Sequence, residues 1–496
     1  MGFVVISERD NVKVSLDNGH KYARRDIKSG EQIIKYGYPI GVATVFIKEG
    51  DRVHTENMKT ALSGVGEYTY DKSGIELEKI PPVTVSAYVR KNGEIGIRND
   101  IFIINTVGCV NKTAEILSQK TGAFSFSHPY GCSQLGGDFE NTQKLLSALI
   151  KHPNAGGVLV LGLGCENNNI ESLKRTLGEY DGERVRFLNV QDCEDEISEG
   201  VRLIEELKAK AKTDIRQEVP ASKLKIGLKC GGSDGLSGIT ANPMIGRIAD
   251  RLVSMGACTV LTEVPEMFGA EQILLSRCAD KATFDRAVDM INGFKRYFIS
   301  HGQPISENPS PGNKEGGITT LEEKSLGCVQ KGGRSPVTGV LGYAERAERS
   351  GLSLLWGPGN DMVAVTDLAA SGCHMILFST GRGTPLGSVV PTVKISTNTA
   401  LYNKKPHWID FDAQSGTDDA LFSLLIDTVN GKRTKNEENG YTVLRLRDGS
   451  GENVTVVGCF PYAAAGESMI ISGQWMTHSV QERQFKAEFA QRILPT

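Results

Sequence analysis

The chain has 496 residues, a formal net charge of −3, 39% hydrophobic and 23% charged residues, and 56 glycines. That length exceeds one hydrophobic core and implies roughly two to four domains. The near-balanced charge argues against a nucleic-acid-binding surface over the whole chain, and no run approaches the roughly 18 apolar residues of a membrane span. Met1-Gly-Phe-Val-Val lacks the basic start and apolar core of a secretory signal. Ten cysteines without a CxxC pair fit reduced thiols better than a disulfide scaffold or a zinc ribbon. A cytoplasmic, multidomain α/β protein is the expectation.

Residues 1–70 read as a small β-rich module. Val12-Lys-Val-Ser-Leu16 alternates, Gly19-His-Lys-Tyr-Ala23 turns into a strand, and Gln32–Tyr36 and Ile40–Val45 are further strands around Gly37 and Pro39. Asp26-Ile-Lys-Ser-Gly30 and Phe46-Ile-Lys-Glu-Gly50 repeat one theme, with His20 before the first and His54 after the second. The polar stretch after Gly66, ending in Pro81-Pro82, reads as a linker, set at 71–82. A second region, 83–218, alternates strands (Ile101–Ile104, Gly157–Leu163, Val185–Val190) with helical patterns (Phe139–Ile150, Ile170–Leu177, Asp195–Ala211). Thr213–Ser222, with Pro220, reads as a second linker. A third region, 222–434, carries more strand–turn–helix steps, and a β-rich tail follows over 437–496.

The polar turns at the strand ends hold the candidate chemistry, because ligands of open α/β sheets gather at the carboxyl edge. After Phe124-Ser-Phe comes Ser-His128-Pro-Tyr-Gly-Cys132, and after Gly157–Leu163 comes Gly-Cys165-Glu166-Asn167. The third region adds Cys230-Gly-Gly-Ser-Asp234, Glu263-Val-Pro-Glu266 and Ser379-Thr380-Gly-Arg382-Gly. Neither GxxxxGK[ST] nor a GxGxxG at the first β–α turn occurs, so the glycines do not argue for ATP or NAD. Backbone NH groups in such turns bind anions; Asn, Asp and Thr pair with hydroxyls, and Arg382 can clamp a carboxylate. A glycine directly precedes Cys109, Cys132, Cys165, Cys328, Cys373 and Cys459. Three such thiolates can hold an iron–sulfur cluster with an open iron, or some can join histidines around one divalent ion. The plainer reading is that the glycines make tight turns and the cysteines are small packing residues. His152, His301, His407 and His478 read as surface or core positions.

These stretches, with Ile34-Lys-Tyr-Gly37, Val53-His-Thr-Glu-Asn57, Glu307-Asn-Pro-Ser-Pro-Gly-Asn313 and Gly316-Gly-Ile-Thr-Thr-Leu-Glu322, resemble the altronate/galactarate dehydratase family over about residues 3–434. The resemblance implies a small N-terminal β-clip domain of SAF type followed by two α/β domains. It also implies an iron-dependent hydro-lyase, with manganese as a possible substitute, converting D-altronate to 2-dehydro-3-deoxy-D-gluconate and water. Galactarate dehydration and a sulfolactate sulfo-lyase-like elimination are alternatives within the family; a non-enzymatic sugar-acid or nucleic-acid binder is the third reading. Such a dehydration takes a weakly acidic C2 proton beside a carboxylate, so it needs fixed positive charge or a metal, a base and an acid. The assignments are His20, His54, Glu166, Asp234 and His374 for catalysis, and Asn167, Asn313, Thr380 and Arg382 for substrate. His128, Cys132, Cys165, Glu263 and Glu266 are assigned to Fe²⁺ or Mn²⁺. A homo-oligomer acting on a small sugar acid, without membrane or nucleic-acid partners, is expected.

From about Glu437 the likeness changes. Asn439–Leu446, Val454–Gly458, Gly473-Gln-Trp475 and Gln484-Phe485 resemble the OB-like N-terminal segment of RecD-like helicases. Val480-Gln-Glu-Arg-Gln484 departs from that pattern, no P-loop follows, and the tail is expected to take no part in the chemistry.

Overall fold

The computed structural model describes residues 2–71, 76–441 and Leu446; apart from Leu446, the expected OB-like strands from Thr442 on lie outside the described residues, as does His478. The N-terminal module is built from two antiparallel sheets. One runs in the order Phe3–Val4, Val12–Ser15, Lys21–Ala23, Arg52–Val53, and the other in the order Gln32–Lys35, Tyr38–Ala43, Met58–Lys59. The repeated theme is the hinge between them. Ile27 and Ile47, both buried, exchange backbone hydrogen bonds of 2.8 and 2.9 Å, while Gly30 and Gly50 turn at φ +81° and +88°.

The second region forms a parallel sheet ordered β2-β1-β3-β4, with β1 Asp100–Asn105, β2 Phe124–Phe126, β3 Ala155–Gly162 and β4 Val185–Asn189. Helices α1 (Asn111–Thr121), α2 (Gly136–Ile150), α3 (Ile170–Leu177) and α4 (Glu196–Ala211) follow the strands in turn. All eight residues of β3 are buried, as an apolar strand covered on both faces must be. Asp195 caps α4 by accepting from the NH groups of Ile197 and Ser198.

The third region holds a seven-stranded parallel sheet ordered β7-β8-β6-β5-β9-β10-β11. Its strands are β5 Lys225–Cys230, β6 Cys258–Leu261, β7 Val337–Leu341, β8 Gly351–Leu355, β9 Met375–Thr380, β10 Thr392–Ser396 and β11 Phe411–Asp412. The order reverses between β5 and its neighbours β6 and β9, which opens a crevice at their carboxyl ends. Helices α5 (Ala241–Ser254), α6 (Lys281–Ser300), α7 (Pro311–Glu315), α8 (Leu321–Cys328) and α9 (Asp361–Ala370) surround it. Among the described residues no helix is long and apolar enough to cross a membrane.

Over the residues described, both expected linkers are packed against their surroundings. Arg216–Pro220 is a strand, antiparallel to Thr84–Val89, with Pro220 at its end, where the missing NH disrupts no interior ladder position. Leu62, Tyr68, Tyr70 and Ile80 pack along the third region, and Gly66 exchanges hydrogen bonds with the Asn292 side chain. One apolar core therefore runs from Val12, Ile33 and Ile40 of the module to Leu228, Phe268 and Leu377. A second core joins the two parallel sheets through Phe102, Leu145, Val260 and Phe378.

Candidate active site

The module meets the third region through buried charge. Lys21 Nζ lies 2.8 Å from Glu323 Oε2, and Lys35 Nζ lies 2.9 Å from Glu323 Oε1. Burial draws Lys21 down to about 8. Glu323 is held at about 2, because the two ammonium groups outweigh the burial that would raise it. Beside this triad Gly19 rests on Gly235 and Gly316, where an added Cβ would meet backbone at 3.2 Å. This contact sets His20 and His54 at the seam, with ring centroids 5.6 Å apart. His54 Nε2 is 2.8 Å from the Lys314 carbonyl and Nδ1 is 3.1 Å from Thr55 Oγ1. His20 is half-buried, and its Nδ1 is buried without a hydrogen-bond partner. Burial lowers its pKa, and Arg52 and then His54 push the same way, so the imidazole is neutral at neutral pH.

Across the seam Asp234 sits in the turn after β5. Its carboxylate accepts from Thr397 Oγ1 (2.9 and 3.0 Å), Ser237 Oγ (3.0 Å) and Asn398 Nδ2 (3.2 Å). Burial raises its pKa in spite of these donors. Asn313 donates to the Ser233 carbonyl at 2.8 Å and accepts from Ser310 as part of a capping box, so it holds the turn in place. Thr380 Oγ1 accepts from the Gly383 NH. Arg382 is exposed and paired with Glu315 at 3.1 Å.

Deeper in the crevice lies an ion network that sequence reasoning missed. Lys229 Nζ lies 2.8 Å from Glu263 and 2.5 Å from Asp361, Lys324 lies 2.9 Å from Glu266, and Lys331 lies 2.7 Å from Cys230 Sγ. Cys230 and Cys328 sulfurs are 3.5 Å apart. The Cys328 thiol donates to Cys230, and Lys331 and Lys229 add their charge, so Cys230 is lowered to about 6 while Cys328 is pushed well up. Burial would raise Glu266, but Lys324 and Lys331 hold it low. Burial and then Glu266 raise Glu263 far above the carboxylate range, and its Oε2 has no partner. Lys229, Lys324 and Lys331 thus face Asp361, Glu263, Glu266 and Cys230.

The expected metal set is not one site. Glu263 and Glu266 belong to this network, whereas His128, Cys132 and Cys165 stand at the edge of the other sheet. His128 is buried; its Nε2 is 2.8 Å from the Asn105 carbonyl, its Nδ1 accepts from the Tyr130 NH, and burial lowers it to about 4. Both ring nitrogens are therefore used in holding the turn. Cys230, Glu266 and Cys328 do converge within 4.8 Å, with donors suited to a thiophilic ion. Lys331 and Lys324 already occupy them and balance their charge, so this trio does not fit a divalent cation. Three further assignments turn out to be framework. Glu166 accepts from Thr106 Oγ1, Leu163 NH and Gly164 NH, and Asn167 accepts from the Ser133 NH. His374 precedes β9, at the amino edge of the sheet, where its Nδ1 accepts from the Lys225 NH and burial lowers it to about 3.

Residues 5–61 match the altronate/galactarate dehydratase SAF domain, 87–212 the second domain of D-galactarate dehydratase/altronate hydrolase, and 221–448 the D-galactarate/altronate dehydratase C-terminal domain. Residues 433–495 match the OB-fold domain of the ATP-dependent DNA helicase YrrC. Altronate dehydratase of Escherichia coli (strain K12) is 51% identical over 468 residues, 88% of this chain and 94% of the relative. Altronate dehydratase of Bacillus subtilis (strain 168) is 50% identical over 88% and 92%. Galactarate dehydratase (L-threo-forming) of E. coli (strain K12) is 31% identical over 84% and 87%. A strand-end crevice lined by buried ionisable side chains, in a chain matched along most of its length to such enzymes, defines a hydro-lyase of sugar acids. The chain belongs to the altronate/galactarate dehydratase family.

Proposed function

We propose that the chain dehydrates D-altronate to 2-dehydro-3-deoxy-D-gluconate, with His20 as base and Asp234 as acid. One observation carries this reading: His20, whose buried Nδ1 has no hydrogen-bond partner, is held beside His54 at the seam that also carries the Asp234 turn. The C2 proton goes to His20. The C3 hydroxyl leaves as water with a proton from Asp234, whose pKa burial raises. The resulting enol then tautomerises to the 2-keto acid. His54, fixed by the Lys314 carbonyl and Thr55, orients His20 or the substrate, and Arg382 takes the carboxylate by exchanging Glu315 for it. Iron dependence belongs to the proposal as well. The test is release of 2-keto acid from D-altronate. His20→Ala is expected to lose about 10²–10⁴-fold in kcat, and full turnover in both His20→Ala and His54→Ala would remove the module from the chemistry.

A further inference from the structure

We propose that Cys109, Cys132 and Cys165, on three adjacent strand-end loops of the second region, ligate a four-iron iron–sulfur cluster that leaves one iron without a protein thiolate. The three cysteines follow β1, β2 and β3, which are neighbours in the order β2-β1-β3, so the topology delivers all three to one edge. All three are exposed, whereas Cys230, Cys258, Cys278, Cys328 and Cys373 are buried.

The loops are locked together at the residues beside the cysteines. Gly108 NH donates to the Tyr130 carbonyl at 2.8 Å, Asn168 NH to the Gly131 carbonyl at 3.0 Å, and Ser133 NH to Asn167 Oδ1 at 2.9 Å. The glycines before Cys109 and Cys132 are where the first two loops touch, and the one before Cys165 packs on Gln191 after β4. A Cβ on Gly108 would meet the His128 carbonyl oxygen at 2.8 Å, one on Gly131 the Val107 Cα at 2.8 Å, and one on Gly164 Gln191 Oε1 at 3.0 Å. Gly131 and Gly164 also hold φ of +102° and +123°, so the repeated Gly-Cys pair is what lets three thiols share a rim.

Chemistry and spacing favour a cluster over one ion. Around a single tetrahedral ion with Zn–S of 2.3 Å, thiolates stand only ~3.8 Å apart. These three sulfurs do not form a group within 4.8 Å of one another, and a cubane spreads its thiolates wider. The amino ends of α1, α2 and α3 all face this edge and favour anionic sulfur. Gln191 Nε2 donates to Cys165 Sγ at 3.5 Å, the kind of NH···S contact that tunes clusters. Cys193, after β4, is not a fourth ligand, because its half-buried thiol donates to the Asn189 carbonyl at 3.3 Å. Glu166 is consumed by Thr106 and by the NH groups of its own loop. On ligation the three thiols release their protons to solvent.

The test uses the full chain, purified without oxygen and reconstituted with ferric iron, excess dithiothreitol (which reduces part of the iron) and sulfide. About four irons and four sulfides per chain, with broad visible absorption bleached by dithionite, is the expected result. Cys109→Ser, Cys132→Ser and Cys165→Ser should each lose more than half of the iron, and Cys193→Ser none. As a check independent of the variants' folding, iodoacetamide mapping of the wild type should find these three thiols protected when loaded and alkylated after chelation. Iron and sulfide retained by the triple variant, one zinc without sulfide, or no protection on loading would each overturn the assignment. Iron and sulfide are counted without turnover, so failure here and failure of the His20 reading are distinguishable.

Discussion

Lys21 Nζ and Glu323 Oε2 stand 2.8 Å apart with neither side chain more than 1% exposed, so the N-terminal module is tied to the catalytic crevice by an ion pair without access to water. Removing one partner of such a pair strands the other, at a cost of about 3–5 kcal/mol. Glu323→Gln should be the harshest change, since it leaves both Lys21 and Lys35 uncompensated. Its unfolding free energy from urea titration should fall by that amount and further than that of Lys35→Met. An unchanged midpoint would show that the seam does not depend on the triad.

Acid should loosen the fold through its buried histidines. Burial lowers His128 to about 4, His374 to about 3, and His152 well below its usual 6.5. Between pH 6.5 and those values the unfolded chain binds protons that the folded chain refuses, so stability rises with pH there and is lost as pH falls. The slope approaches ~1.4 kcal/mol per pH unit for each histidine. Glu323, depressed to about 2, extends the loss below pH 4.5. Asp410, raised by burial to about 6, opposes it in part. Denaturation midpoints from pH 7 to 4.5 check this, and His128→Gln should flatten the curve by about one proton.

Packing at the thiol-bearing loops should make Gly131→Ala severe. The new Cβ would strike the Thr106 carbonyl oxygen and approach Val107 Cα at 2.8 Å, at a φ of +102°. A loss of roughly 1–3 kcal/mol from overpacking alone is expected, read by thermal unfolding. Gly122→Ala, with left-handed φ but no atom within 4 Å of its Cβ, should cost less.

Local pattern made much of this fold legible. Ile170–Leu177 carries its apolar residues on one face and forms the helix over that same span, and the repeated theme was visible, though not that Ile27 and Ile47 bridge each other. Long-range pairing was not legible. Arg216–Pro220 is polar and ends in proline, and only its distant partner Thr84–Val89 makes it a strand. Lysines at 21, 35, 229, 324 and 331 look like solvated charges until tertiary contacts bury them against Glu323, Glu263, Glu266 and Cys230. Lys229, within the apolar Leu228–Cys230 end of β5, was the available clue. His128 and His374 erred the other way, since nothing local distinguishes a turn-holding imidazole from a ligand.

The His20 assignment makes a pH prediction that a structural role would not. A base must be unprotonated, so kcat/KM for D-altronate should fall on the acid side, with a limb below pH 6.5 because burial, Arg52 and His54 all lower the His20 pKa. Arg52 is the largest of the charged causes and makes no contact with the Asp234 turn among the hydrogen bonds and ion pairs described. Arg52→Gln should therefore move the limb to higher pH while leaving the plateau rate nearly intact. His54→Ala should move it the same way and also lower the rate, since the neighbour that orients His20 is gone. A limb that stays fixed in Arg52→Gln would mean that another group titrates, and His20 would lose its role as the base.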